Sequence, residues 1–200
     1  GLGDDWLRVA GLYTEFGISA DNRLRARAAP YTGWAGFNFD CGVPRARMRD
    51  LLVAAAEADI RISTIGIGYL DLFEEVDRIV PIRDRRWIIG HLNRATPDQI
   101  ARIRDLGLVM TAHTNRYIYK EGHRTRELIG GAAENTISPL RSLGEAGVHV
   151  ALATDNVPTS LFYPVWQAVS RYNRVSHDAI APDQALSRAE ALRCATIEGA

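Results

Sequence analysis

The chain has 200 residues, 24 basic and 24 acidic side chains, no formal net charge and a 46% hydrophobic content. That length suits one domain spanning residues 1–200 with a sizeable core. The charge balance does not favour nucleic acid or an anionic membrane as a partner, and no apolar run is long enough to cross a bilayer.

Taken in order, the chain opens with GLGDDWLRVAG, which has neither the basic region nor the apolar core of a signal peptide. It also lacks an initiator Met. A cytoplasmic chain cut from a longer protein is therefore expected, with Cys41 and Cys194 reduced and acting as packing residues. Residues 6–15 alternate and are rich in β-formers, which predicts a strand. Residues 17–40 are irregular and hold Arg23, Arg25 and Arg27 among several aromatics, a long loop of the kind that carries function. A helix follows over 44–58, with Met48, Leu51, Leu52 and Ala55 at helical spacing. Residues 60–65 alternate as a strand, and 69–80 form an amphipathic helix.

Residues 86–91 are a short apolar run closed by Gly90 and His91, which reads as a buried strand with a polar end. Thr96, Pro97 and Gln99 then open a helix: Thr as N-cap, Pro at the first position, Gln99 where a capping box wants it. Ile100, Ile103 and Leu106 form its apolar stripe, and Gly107 ends it. Residues 108–112 are another apolar strand, running into His113. Residues 116–134 are polar and Gly-containing and read as a second long loop. Ser138 and Pro139 start a helix stopped by Gly147. Residues 148–154 are a buried strand leading to Asp155, 164–172 are helical, and Ser187 with Glu190 caps a last helix.

Strands alternating with helices imply a parallel sheet with right-handed crossovers. An open doubly wound sheet would show a Gly-rich phosphate turn, of which Gly66-Ile67-Gly68 is only a weak imitation. A barrel fits better, because strand after strand ends in a polar residue followed by a long loop. Five strands do not close an eight-stranded barrel. The expected fold class is α/β, a partial TIM (β/α)8 barrel of about the last five βα units. Its two open edges would favour self-association, so a homo-oligomer is a further expectation.

Glu15, Ser63, His91, His113 and Asp155 all fall at predicted strand ends, the face of parallel α/β folds that carries the chemistry. Imidazoles and carboxylates converging there suit a divalent metal such as Zn, Fe or Mn, with a carboxylate as base for an activated water. A lone His is often only a satisfied polar side chain and a lone Asp a turn residue; the joint placement is what points to a metal. His123 and His177 read as solvated loop residues, His149 as structural, and the tryptophans as core or loop packing. The alternating arginines are a solvated face or a grip on an acidic substrate group.

DDWLRVAGLYTEFG, RISTIGIGYLDLFEEVDRI, DRRWIIGHLNRATPDQIARIRDLGLVMT, SPLRSLGEAGVHVALATDNVP and ALSRAEALRCAT, in that order, resemble the amidohydrolase superfamily over nearly the whole chain. The branch they resemble is amidohydrolase family 3, which includes N-substituted formamide deformylase-like enzymes. The resemblance implies a metal-dependent barrel that hydrolyses non-peptide C–N bonds, with zinc as the expected divalent cofactor. It implies His91, Asp155 and Glu15 as metal ligands, Asp155 also as the catalytic proton shuttle, and His113, Ser63 and Asn156 at the substrate. Two departures stand out. The family's His-x-His strand has no counterpart, and Ser63 stands where the family carries a ligand His. A degenerate barrel that binds or scaffolds is therefore the alternative. A metal-independent enzyme using the Arg-rich loop for a phosphate is disfavoured by the missing Gly-rich turn.

Overall fold

The computed structural model describes residues 4, 6–7, 9–14, 43–155 and 159–199. The predicted loop over 17–40, with its arginines, and the candidates Glu15 and Asn156 lie outside the described residues.

Five strands, β1 (Leu12–Tyr13), β2 (Ile62–Ile65), β3 (Ile88–Gly90), β4 (Val109–Ala112) and β5 (Val150–Leu152), form one sheet in chain order. Every pair is parallel, as expected of consecutive βα units. Among the described residues the α-helices are α1 (Arg45–Glu57), α2 (Leu70–Asp77), α3 (Pro97–Asp105), α4 (Gly122–Ile129), α5 (Leu140–Glu145), α6 (Phe162–Ser170) and α7 (Arg188–Ala195). Both capping boxes form: Thr96 with Gln99 at α3, and Ser187 with Glu190 at α7. Gly107 stops α3 at φ 62°, where a Cβ would sit 2.1 Å from the Arg83 carbonyl oxygen, so the turn needs both the left-handed backbone and the missing side chain.

The ladders align Thr64, Ile89, Met110 and Val150 in one row. All of these are buried, and the apolar ones share a core with Met48, Leu52, Phe73, Val76, Ile103, Leu143 and Ala168 from the helices. Thr64 is admitted to this row because its hydroxyl donates to the Ile88 carbonyl. Trp87 is wholly buried on the same side, its Nε1 donating to Ile60 O and its ring edge-on to Phe73 at 5.0 Å.

Two readings of the sequence are corrected. Residues 116–134 are not a loop: a π-helix (Asn115–Lys120), α4 and a 3-10 turn (Gly131–Thr136) fill them. Their few apolar residues pack elsewhere than the main core, Ile118 and Ile129 joining Ile137, Ile180 and Ala181 in a small separate cluster. Arg171 holds that cluster together. It is wholly buried and donates to the carbonyls of Ile180, Ser138 and Ile137 at 2.8, 2.8 and 2.7 Å. Burial pulls its guanidinium down to about 9, which leaves it charged at neutral pH. The predicted first strand is also shorter than expected. Leu12 pairs with Ile62, at the amino end of β2, so the residues before it run past their partner. Trp6 and Leu7 are exposed there, contrary to the packing role expected of the tryptophans.

Candidate metal centre

The apolar run of β3 ends at Gly90, where a Cβ would press on Thr64 O at 3.1 Å and Thr111 Oγ1 at 3.2 Å. Glycine therefore lets β3 lie close between its neighbours just before His91. His91 takes a left-handed backbone at φ 55°, and Asp155, beyond β5, does so at φ 49°. Asp and His are enriched among the non-glycine residues that adopt this region, yet it is sparsely populated, and such outliers cluster at functional sites.

These turns bring together side chains from three successive strand ends. The His91 and His113 rings stack with centroids 3.9 Å apart and planes inclined by 29°. His113 Nδ1 lies 3.5 Å from Asp155 Oδ2. One potential ligand atom from each of His91, His113 and Asp155 lies within 4.8 Å of the others. His113 is buried, His91 half-buried and Asp155 open to solvent. At 3.5 Å the Asp155 contact is too long for a well-formed hydrogen bond, and His113 Nδ1 is a buried polar atom with no hydrogen-bond partner. Burial first, then the neighbouring His91, pushes the His113 pKa down to about 4 against the opposing pull of Asp155. His113 is thus neutral at pH 7, the form of imidazole that ligates metals. A buried nitrogen lacking a partner, a second imidazole and a carboxylate fit a divalent cation.

His113 is fixed from behind. Its carbonyl accepts from Arg116 N and Tyr117 N at the start of the π-helix, an element that is frequent at functional sites. The next residue, Thr114, donates its hydroxyl to Gln167 Oε1 at 2.9 Å, and Gln167 Nε2 donates to Asn115 Oδ1 at 3.3 Å. Gln167 is a brace that the sequence reading missed. The signal was an amide inside the apolar run VWQAV of α6, since a fully buried amide must find partners.

Of the predicted site residues, the structure gathers His91, His113 and Asp155. Ser63 is not at the rim. It is level with Tyr13, Ile88 and Val109, and Ile88 lies three residues before His91, about 10 Å down the strand. The position of β2 beside the rim is Gly66, whose N–H donates to Gly90 O. His149 is exposed, and its Nδ1 meets Glu198 Oε2 at 2.6 Å. His177 is exposed, as expected for a loop residue, whereas His123 lies on α4 with its Nδ1 buried.

A profile described as amidohydrolase family matches residues 2–200. The chain is 30% identical over 166 residues to N-substituted formamide deformylase of Arthrobacter pascens, which covers 78% of this chain and 30% of that protein. Among solved structures it is similar to an uncharacterized metal-dependent hydrolase from Pyrococcus furiosus (TM-score 0.69, 20% identity, 98% of this chain and 40% of that one). A second such hydrolase, from Pyrococcus horikoshii, superposes with TM-score 0.63 at 17% identity, over 94% of this chain and 36% of that one. A triazine hydrolase variant does so with TM-score 0.52 at 19% identity, over 80% and 35%. The five parallel strands and their helices are part of a TIM-type barrel. The chain spans less than half the length of these relatives.

Proposed function

The chain belongs to the amidohydrolase family, and from that premise we propose that the protein it forms part of is a metal-dependent hydrolase of non-peptide C–N bonds. The proposed substrates are small amides or formamide-like molecules, in keeping with the name of the Arthrobacter relative. The observation that supports this reading most is the convergence of His91, His113 and Asp155 donors within 4.8 Å at the carboxyl ends of three strands. His91, His113 and Asp155 would hold the ion, with Glu15, the residue after Thr14, as a further donor and Asn156 at the substrate. Two imidazoles and a carboxylate suit zinc.

When bound, the ion would supply Lewis acidity toward the amide carbonyl and toward water. The chain's own part is proton handling and placement. Asp155, partly open to solvent, takes a proton from the attacking water as its oxygen bonds to the carbonyl carbon. Asp155 then returns that proton to the leaving nitrogen as the C–N bond breaks, giving a carboxylic acid and an amine. His113, neutral and braced through Thr114 and Gln167, stays in the ligating form. The isolated chain of 200 residues is proposed to be inactive, since it spans 30% of the deformylase.

The test is metal analysis and amide hydrolysis with the full-length parent. His91→Ala should lower bound metal and abolish hydrolysis, and Asp155→Asn should abolish kcat. An active parent whose kcat survives Asp155→Asn would remove the proton-shuttle role. A second reading, a non-catalytic barrel, draws on one observation: among the described residues β2 contributes no donor to the cluster. A full-length parent without stoichiometric metal would favour it.

A further inference from the structure

Both histidines of the candidate centre lie on segments that are gripped from behind by a single helix. Gln167 lies on α6 and Arg171 caps its end, and both are wholly buried. A four-residue spacing puts them on one face of the helix, a turn apart. Gln167 reaches the His113 side. It accepts from the Thr114 hydroxyl and donates to Asn115 Oδ1, on the two residues that follow His113. Arg171 reaches the His91 side. It donates to Ile137 O and Ser138 O, and Ser138 N donates in turn to Asn93 O at 2.8 Å, two residues after His91.

The backbone on the His91 side needs such a grip. His91, Ser138 and Arg171 all take left-handed conformations, at φ 55°, 40° and 56°. None of them is glycine, and conformations of this kind persist only where surrounding contacts over-determine them. Leu92 N, donating to Thr111 O, ties the residue after His91 to the sheet. The bond from Ser138 to Asn93 ties the next one, and the planar fork of Arg171 holds Ser138 in turn. For stability alone, apolar side chains would serve at Gln167 and Arg171, since burying an amide or a guanidinium carries a desolvation cost that its hydrogen bonds only offset. Directed hydrogen bonds add one defined arrangement of the segments they join. Here those segments carry two stacked imidazoles, and metal ligands must be held to fractions of an ångström.

Resting on the hydrolase reading, we propose that Gln167 and Arg171 are positioning residues of the metal centre: Gln167 sets the place of His113, and Arg171, through Ser138 and Asn93, sets that of His91. Both act through the segments that carry the imidazoles rather than on the ion.

The experiment uses the full-length parent. Zinc affinity is read by competition with a chromogenic chelator, stability by urea unfolding, and each imidazole by histidine-selective NMR of the metal-free protein. Gln167→Met keeps the length of the side chain and loses both hydrogen bonds. Arg171→Lys keeps the charge and loses the fork. Each should weaken zinc binding about tenfold. Without metal, Gln167→Met should move the His113 ring signals more than those of His91, and Arg171→Lys should do the reverse. Thr114→Val combined with Gln167→Met removes the hydroxyl left unpaired, so stability should recover while zinc affinity stays low. Zinc affinity unchanged in both single variants overturns the proposal. Affinity that returns together with stability in the double variant also overturns it, because packing would then be the whole role. A parent that binds zinc while its histidine signals ignore the expected pattern keeps the hydrolase reading and loses the positioning. A parent that binds no zinc while the signals follow the pattern loses the hydrolase reading and leaves the positioning of the two histidines standing.

Discussion

The two faces of the sheet are built to opposite standards. On the helix side, Thr64, Ile89, Met110 and Val150 are 1%, 0%, 0% and 3% exposed and join the apolar surfaces of the surrounding helices. On the other side, Tyr13 is 54% and Ile65 37% exposed. Ile65, Gly90, Thr111 and Ala151 form the row that, in a closed barrel, points into the packed interior. A βα unit buries one face of its strand with its own helix, through contacts close in sequence. The inner face is buried only by strands from across the barrel. Stability is therefore concentrated on the helix side, while the candidate centre sits at the carboxyl ends of the strands.

The largest test of that contrast is Trp87→Ala. Removing a wholly buried ring packed on Phe73 should cost about 3–5 kcal/mol in urea unfolding. Tyr13→Ala on the open face should cost far less, and equal losses would break the comparison. Next comes acid. In the metal-free chain the folded pKa of His113 is about 4, below the unfolded value of 6.5. Between those values the unfolded chain binds the proton more readily, so stability is full above pH 6.5 and declines as pH falls toward 4. Melting temperature against pH should show this decline, and His113→Asn should flatten it.

Thr96→Ala removes the cap of α3 and should cost about 1 kcal/mol. That loss belongs to the helix layer alone, so the geometry of the rim should persist in the NMR shifts of His91 and His113. The smallest effect is expected from Ile65→Asp. In the 200-residue chain it should change unfolding by no more than about 0.5 kcal/mol and reduce self-association in sedimentation. In the full-length parent the same change should cost at least about 2 kcal/mol, because the carboxylate would be buried in the barrel interior. Similar costs in both proteins would mean that this face is not completed by the rest of the barrel.

Much of this was written locally in the chain. The capping boxes at Thr96 and Ser187, the stop at Gly107 and the apolar runs around Ile89 and Met110 involve residues a few positions apart. Propensity, capping and periodicity act over that range, so the parallel order of β2 to β5 and the strand-end positions of His91, His113 and Asp155 were legible. What was not legible depended on residues distant in sequence. The helices within 116–134 exist because Ile118 and Ile129 meet Ile137 and Ile180 around the buried Arg171. Ser63 was misplaced because its height on the sheet is set by its pairing with Ile88, which no spacing within β2 reveals. The meeting of His91, His113 and Asp155 likewise required the register of three strands and two left-handed turns. The sequence by itself determined which side chains stand at strand ends; the tertiary structure decided which of them share a site, because register and burial arise from contacts between elements that local propensity does not encode.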